Sequence, residues 1–252
     1  MIDVKTTKDG IAILTIKHGK ANALDIELCD AIANEFKELA EADARAVVIT
    51  GHGGIFSAGV DLIRVSRGGA DYVREFLPML HRLCDAVFFH PKPVVSAING
   101  HAVAGGCVLA CCADRRIMAR GSGRIGVTEL LVGVPFPALA FEIMRFAVPS
   151  RYLSEFTFGG ATYDTEAALQ RGLVDEVVEP GALLPRAVAA AEELARLSPL
   201  AFAQAKAQIR IAVSERIAHS WTATDKAVTD IWAAAETLDY IRNYVARTLK
   251  KS

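Results

Sequence analysis

Three short runs constrain this chain more than any other feature. Ala46–Thr50 (AVVIT), the segment PVVSAING at 93–100 and RRIMAR at 115–120 are each too short for a helix, and the first two are almost wholly apolar. Such runs fit buried strands. Segments of helical period lie between them. NALDIELCDAIANEFKELAEAD places apolar residues on one helix face, with Asp25 positioned as its N-cap. Residues 70–91, ADYVREFLPMLHRLCDAVFFHP, repeat the pattern up to Pro91 and Pro93, and Pro78 is expected to kink or divide that helix. IAILTIKHG at 11–19 reads as a further strand. Strands alternating with helices imply an α/β layering.

From about Ser198 the alternation stops. Long helical periodicity follows, with Pro199 as its only proline. We therefore divide the chain into a core at 1–197 and a helical portion at 198–252 that packs on the core or on a neighbouring subunit. At 252 residues, 52% hydrophobic and 23% charged, the chain is an ordinary globular protein with a sizeable core. A net charge of −1 supplies no basic field for nucleic acid. No apolar run reaches the length of a membrane span, and MIDVKTTKDG lacks the apolar core of a signal peptide. Five cysteines, two of them adjacent, suit buried thiols in a reducing, cytoplasmic setting. Cys107, Cys111 and His101 raise the question of zinc, but no convincing fourth ligand accompanies them, so no metal is expected.

Two strand exits run through small residues. FSAGVDL (56–62) follows the AVVIT run, and NGHAVAGGCVLACCAD (99–114) opens a buried helix at Gly105 and Gly106. Glycine there permits either close helix–strand packing or the approach of a ligand oxygen to free N–H groups. Brought together, the two turns would offer two donors to one oxygen, as an oxyanion hole does. GSGRIG at 121–126 matches G-x-G-x-x-G, but Gly133, Pro135 and Pro137 break the helix that a dinucleotide fingerprint requires.

In order along the chain, FSAGVDL, KPVVSAINGHAVAGGCVLACCADRRIMA, GRIGVTELLVGVPF, YDTEAALQRGLVDEVVEP and SPLAFAQAK resemble the successive signatures of the enoyl-CoA hydratase/isomerase (crotonase) superfamily. The resemblance covers nearly the whole chain. It implies a spiral of stacked ββα units with a helical C-terminal portion, assembled as a homotrimer or a dimer of trimers. It also implies an acyl-CoA thioester substrate, with coenzyme A as part of the substrate and no separate cofactor. Matched motif to motif, the oxyanion donors are the N–H groups of Val60 and Gly105. Ala21, Ala23 and Ala58 fall on the coenzyme A site, with Asp61, Leu62 and Gly106 beside them and Arg64 as a phosphate contact.

The family's two acid–base positions read Val108 and Glu129 here. Hydration needs an oriented water as well as a proton delivered to carbon, which is work for two carboxylates. Moving a double bond from position 3 to position 2 needs one group that takes a proton at C2 and returns it at C4. VPFPALAF (134–141), with Phe136, resembles the isomerase branch, so the resemblance points to an enoyl-CoA isomerase. Tyr72–Leu83 and VPFPALAF are expected to line the acyl-tail pocket. Glu142 is the rival base and the group a hydratase would have to recruit. Asp61 reads as a turn-former, while His101 and Asp114 read as structural. A non-catalytic coenzyme A binder and an RNA-binding relative are the alternatives of other classes.

Overall fold

A computed structural model of the chain describes residues 1–248, with backbone only at 220–222. The strands are β1 (Ile2–Thr6), β2 (Ile11–Ile16), β3 (Ala46–Gly51), β4 (Ile55–Ser57), β5 (Val94–Ile98), β6 (His101–Val103), β7 (Arg115–Ala119), β8 (Ile125–Gly126) and β9 (Glu176–Val178). They form a six-stranded sheet in the order β1-β2-β3-β5-β7-β9 and a three-stranded sheet in the order β4-β6-β8. Apart from the β1–β2 hairpin, every pairing between these strands is parallel. Both faces of β3 and β5 are buried, which is why they read as unbroken apolar runs rather than alternating ones.

The helices between the strands are α1 (Ile26–Glu41), α2 (Leu62–Phe88), α3 (Gly105–Cys111), α4 (Glu129–Val132), α5 (Ala138–Ala147), α6 (Ser150–Gly159), α7 (Thr165–Gln170) and α8 (Leu183–Ala195). The C-terminal helices are α9 (Pro199–Ala233) and α10 (Ala235–Thr248). Asp25 caps α1 as expected, its carboxylate accepting from the Leu28 N–H at 2.8 Å. Leu28, Ile32, Phe36 and Leu39 form the buried face of that helix.

Helix α2 departs from the sequence reading. Its break lies at Gly69 (φ 63°, ψ −150°), not at Pro78. Pro78 sits on the exposed face, so the carbonyl that its missing N–H leaves free can meet solvent. Gly69, with no Cβ, takes the left-handed conformation at little steric cost.

The main core joins α1, α2, α3, α5 and one face of the large sheet, and Val213, Val228, Trp232, Leu238, Ile241 and Val245 of α9 and α10 belong to the same cluster. The C-terminal helices therefore fold back over the core of their own chain. A smaller cluster seats α8 on the opposite sheet face through Ala187, Ala190 and Ala191. Asp114 ties α9 to the start of β7, accepting from Lys206 Nζ and Arg210 Nη2, each at 2.7 Å. Among the described residues no helix is long and apolar enough to cross a membrane.

Candidate active site

The three strands of the small sheet run parallel, and each delivers its chain to the same cavity. Past β4 lies Val60, past β6 lies Gly105, and past β8 lies Glu129.

Val60 is held by a short pairing between residues 21–24 and 58–61. Ala58 N–H donates to the Ala21 carbonyl at 3.0 Å, Leu24 N–H to Gly59 at 2.8 Å, and Asp61 N–H to Leu24 at 2.9 Å. In that parallel bridge Val60 faces Leu24 while its own N–H points away from the pairing. Gly59 has φ 81°, and a Cβ there would lie 2.5 Å from the Val103 carbonyl oxygen, so only glycine lets the β4 exit lie against β6. Gly105 opens α3, where its N–H has no intrahelical acceptor. A Cβ on Gly105 would lie 3.1 Å from Leu24 Cδ1 and 3.6 Å from Val60 Cγ2, so the two donor-bearing residues are neighbours. Neither N–H donates to an acceptor among the described residues.

Gly106 is occupied differently. A Cβ there would meet the Ser57 carbonyl oxygen at 2.4 Å, so this glycine packs α3 against β4. Close helix–strand packing therefore accounts for Gly106, while Gly105 keeps an N–H without an acceptor among the described residues.

The cavity has a volume of about 600 Å³. Ala21, Ala23, Ala58, Val60, Asp61 and Leu62 line it, together with Glu129. Gly105, Gly106, Arg64, Val108 and Phe136 are not in its lining. Arg64 donates to Asp25 at 3.0 Å and to Glu27, and its guanidinium lies over the Tyr72 ring. Val108 is buried on α3 and Phe136 is packed into the main core. The expectation for the tail pocket also needs correction. Of VPFPALAF only Val134 reaches this cavity, and none of Tyr72–Leu83 does. Leu77, Pro78, His81 and Pro137 instead line a second cavity of about 310 Å³.

Asp61 and Glu129 are the carboxylates in the lining of the main cavity. Asp61 is engaged as the N-cap of α2, accepting from the N–H groups of Ile63 and Arg64 at 3.0 Å each. Glu129 is 8% exposed, and its Oε2 has no hydrogen-bond partner among the described residues. Burial raises its pKa from an ordinary 4.5 to about 7. A carboxyl that titrates near neutrality can both accept and release a proton at working pH. Glu142 accepts from Arg216 Nε at 2.5 Å, lies 3.4 Å from Arg145 Nε, and takes no part in the cavity wall.

Sequence reasoning missed several wall residues. His18 and Lys20 flank the mouth, and His18 Nε2 lies 2.6 Å from Asp25 Oδ2. Thr128, Val132, Trp232 and Tyr244 close the other side. Lys20 directly precedes Ala21 and His18 lies three residues before it, so both could have been found from that expected coenzyme A contact. Trp232 and Tyr244 carry no local signal, since on a helix they read as ordinary core aromatics. The five cysteines are buried free thiols.

The enoyl-CoA hydratase/isomerase family model matches residues 6–247. A putative enoyl-CoA hydratase of Thermus thermophilus is 35% identical over 201 residues, 78% of this chain and 79% of that protein. A solved human mitochondrial delta3-delta2-enoyl-CoA isomerase superposes with a TM-score of 0.95 at 24% identity, covering 100% of this chain and 99% of that one. An apo Mycobacterium tuberculosis enoyl-CoA isomerase gives 0.79 at 31% identity, over 93% and 98% of the two chains.

Proposed function

The chain belongs to the enoyl-CoA hydratase/isomerase (crotonase) family, and from that premise we propose that it moves a double bond from position 3 to position 2 of an enoyl-CoA. One observation carries this reading. Of the two carboxylates in the cavity wall, Asp61 is bonded as a helix cap, which leaves Glu129 as the acid–base group.

The thioester oxygen accepts from the N–H groups of Val60 and Gly105. As Glu129 removes a proton from C2, negative charge moves onto that oxygen and the two donors stabilise the dienolate. Each such donor contributes about 3–4 kcal/mol to the transition state. Glu129 then returns the proton at C4, leaving the double bond at position 2. General acid–base help of this kind gives about 10²- to 10⁴-fold. The apolar Val108, where the family's other carboxylate would stand, offers no group to orient a water. Ala21, Ala23 and Ala58 would border coenzyme A on the mouth side, near Lys20. Arg64 enters as a phosphate contact only by giving up its bonds to Glu27 and Asp25.

Hydration of a 2-enoyl-CoA is the second reading, favoured by the name of the Thermus relative. It needs a second acid–base group, and Glu142 is already bonded to Arg216 outside the cavity. We further propose a homotrimer or dimer of trimers in a reducing, cytoplasmic compartment, which size-exclusion chromatography with light scattering and cell fractionation would check.

A paired assay tests the reaction. The purified protein is given a 3-enoyl-CoA and, separately, a 2-enoyl-CoA in deuterated water, followed by absorbance and mass. Conversion of the first without gain of water is the expected result. Rapid hydration of the second would overturn the one-carboxylate mechanism. Coenzyme A binding with neither reaction would favour a non-catalytic binder.

A further inference from the structure

The main cavity has a polar, open side and an apolar, closed one. At the mouth, Gly19 and Lys20 are exposed and His18 is half-buried. At the far side Val132, Val134 and Trp232 are 5%, 2% and 2% exposed. A phosphate-bearing coenzyme A suits the first side and an acyl tail the second. Val132 lies one helical turn beyond Glu129 on α4, so the apolar wall begins only about 5 Å from the base.

Trp232 is fixed in that wall. Its Nε1–H donates to the Pro135 carbonyl at 2.9 Å, which satisfies the one polar group of the ring and locks its orientation. The second cavity, of about 310 Å³, is built on the same two segments. Val228, one turn before Trp232 on α9, lines it, as does Pro137, two residues beyond Pro135. Leu77, Pro78 and His81 of α2 supply another wall, and Asp225, Lys226, Thr229 and Asp230 of α9 give this cavity a polar side.

From this arrangement we propose that Trp232 is the partition between the two cavities and limits the substrate to short acyl chains. The inference rests on the acyl-CoA reading above and names the class of acyl group. The reacting carbons C2 to C4 occupy the space at Glu129. Only a few further methylenes fit before the chain meets Val132, Val134 and the indole. Trp232 acts on specificity through the shape of the wall and takes no part in proton transfer.

The test measures Kd by calorimetry for saturated, unreactive thioesters from butanoyl-CoA to dodecanoyl-CoA. It uses the full-length wild type, Trp232→Ala, Trp232→Phe and the double variant Trp232→Ala/Val228→Trp. One methylene in an apolar pocket changes binding by about 10-fold or more, so the wild type should bind dodecanoyl-CoA at least about 10-fold more weakly than hexanoyl-CoA. Trp232→Ala should tighten dodecanoyl-CoA by at least about 10-fold relative to butanoyl-CoA, and refilling the second cavity with Val228→Trp should reverse that gain. If Trp232→Ala fails to fold, Trp232→Phe carries the test. It should move the ratio the same way by a smaller factor. Equal binding of hexanoyl- and dodecanoyl-CoA by the wild type, or a ratio unmoved in the folded variants, overturns the proposal. Because saturated thioesters need no chemistry, a failed isomerase assay leaves this result readable. A flat length profile in an active isomerase sinks the partition alone.

Discussion

Replacing Glu129 with glutamine should cut turnover sharply and stabilise the protein, with the stabilisation appearing only at the higher pH. The folded state holds the Glu129 proton up to about pH 7, whereas the unfolded chain releases it near 4.5. Below pH 4.5 the carboxyl is protonated in both states and its burial carries no charge penalty. Between 4.5 and 7 the folded state binds more protons than the unfolded, so stability falls as pH rises, by about 1.4 kcal/mol per pH unit. Above pH 7 the loss is complete and amounts to about 3 kcal/mol. Glutamine has no charge to desolvate, though its amide buries donors of its own, so a gain of about 2–3 kcal/mol at pH 8 is expected. For a chain of this length that is a rise of about 5–10 °C in Tm. At pH 4.5 the two proteins should melt together. The assay is thermal unfolding of both proteins at pH 4.5, 6 and 8 at one protein concentration, alongside turnover of a 3-enoyl-CoA at pH 8. Turnover should fall by about 10²- to 10⁴-fold. A variant that keeps its activity, or whose Tm difference is the same at every pH, would refute the assignment of Glu129 as a buried, poised base.

Three other outcomes are expected. In wild-type protein, kcat/KM should fall about tenfold for each pH unit below about 7, because the base must be ionised to take the C2 proton; a pH–rate profile flat from 5 to 8 would contradict this. Gly59→Ala forces a Cβ to within 2.5 Å of the Val103 carbonyl at φ 81°. Displacing Val60 should cut turnover by about 10²-fold and lower Tm, both read on one preparation. Asp114→Ala leaves Lys206 and Arg210 buried without their carboxylate and should cost about 3–5 kcal/mol near pH 7. Burial already lowers the Lys206 pKa to about 8, so part of that loss should return in denaturant unfolding at pH 9–10, where Lys206 sheds its proton.

How much could be read beforehand depended on how local each cause is. The Asp25 cap and the buried runs of β3 and β5 depend on neighbouring residues, and their periodicity carried them. The break in α2 was misplaced because proline was weighed without its solvent exposure, while Gly69 carried no periodic signal. Val60, Gly105 and Glu129 were legible as family positions, although nothing in three separated stretches states that β4, β6 and β8 lie side by side. The cavity wall was misread for a related reason. Leu77, Pro78, His81 and Pro137 border a different cavity, while Trp232, about a hundred residues further on, helps to close the wall of the one that holds Glu129. Where α9 crosses the core is a tertiary fact that no local pattern encodes.

The side-by-side order of the three strand exits has a stereochemical consequence. On the isomerase reaction proposed above, two of them would hold the thioester oxygen and the third would carry the acid–base group, which fixes the plane of the dienolate with Glu129 against one of its faces. Hydrogen therefore leaves C2 and arrives at C4 on that same face. Transfer on that reaction is suprafacial, and any deuterium that exchanges onto Glu129 before delivery enters C4 with a defined handedness.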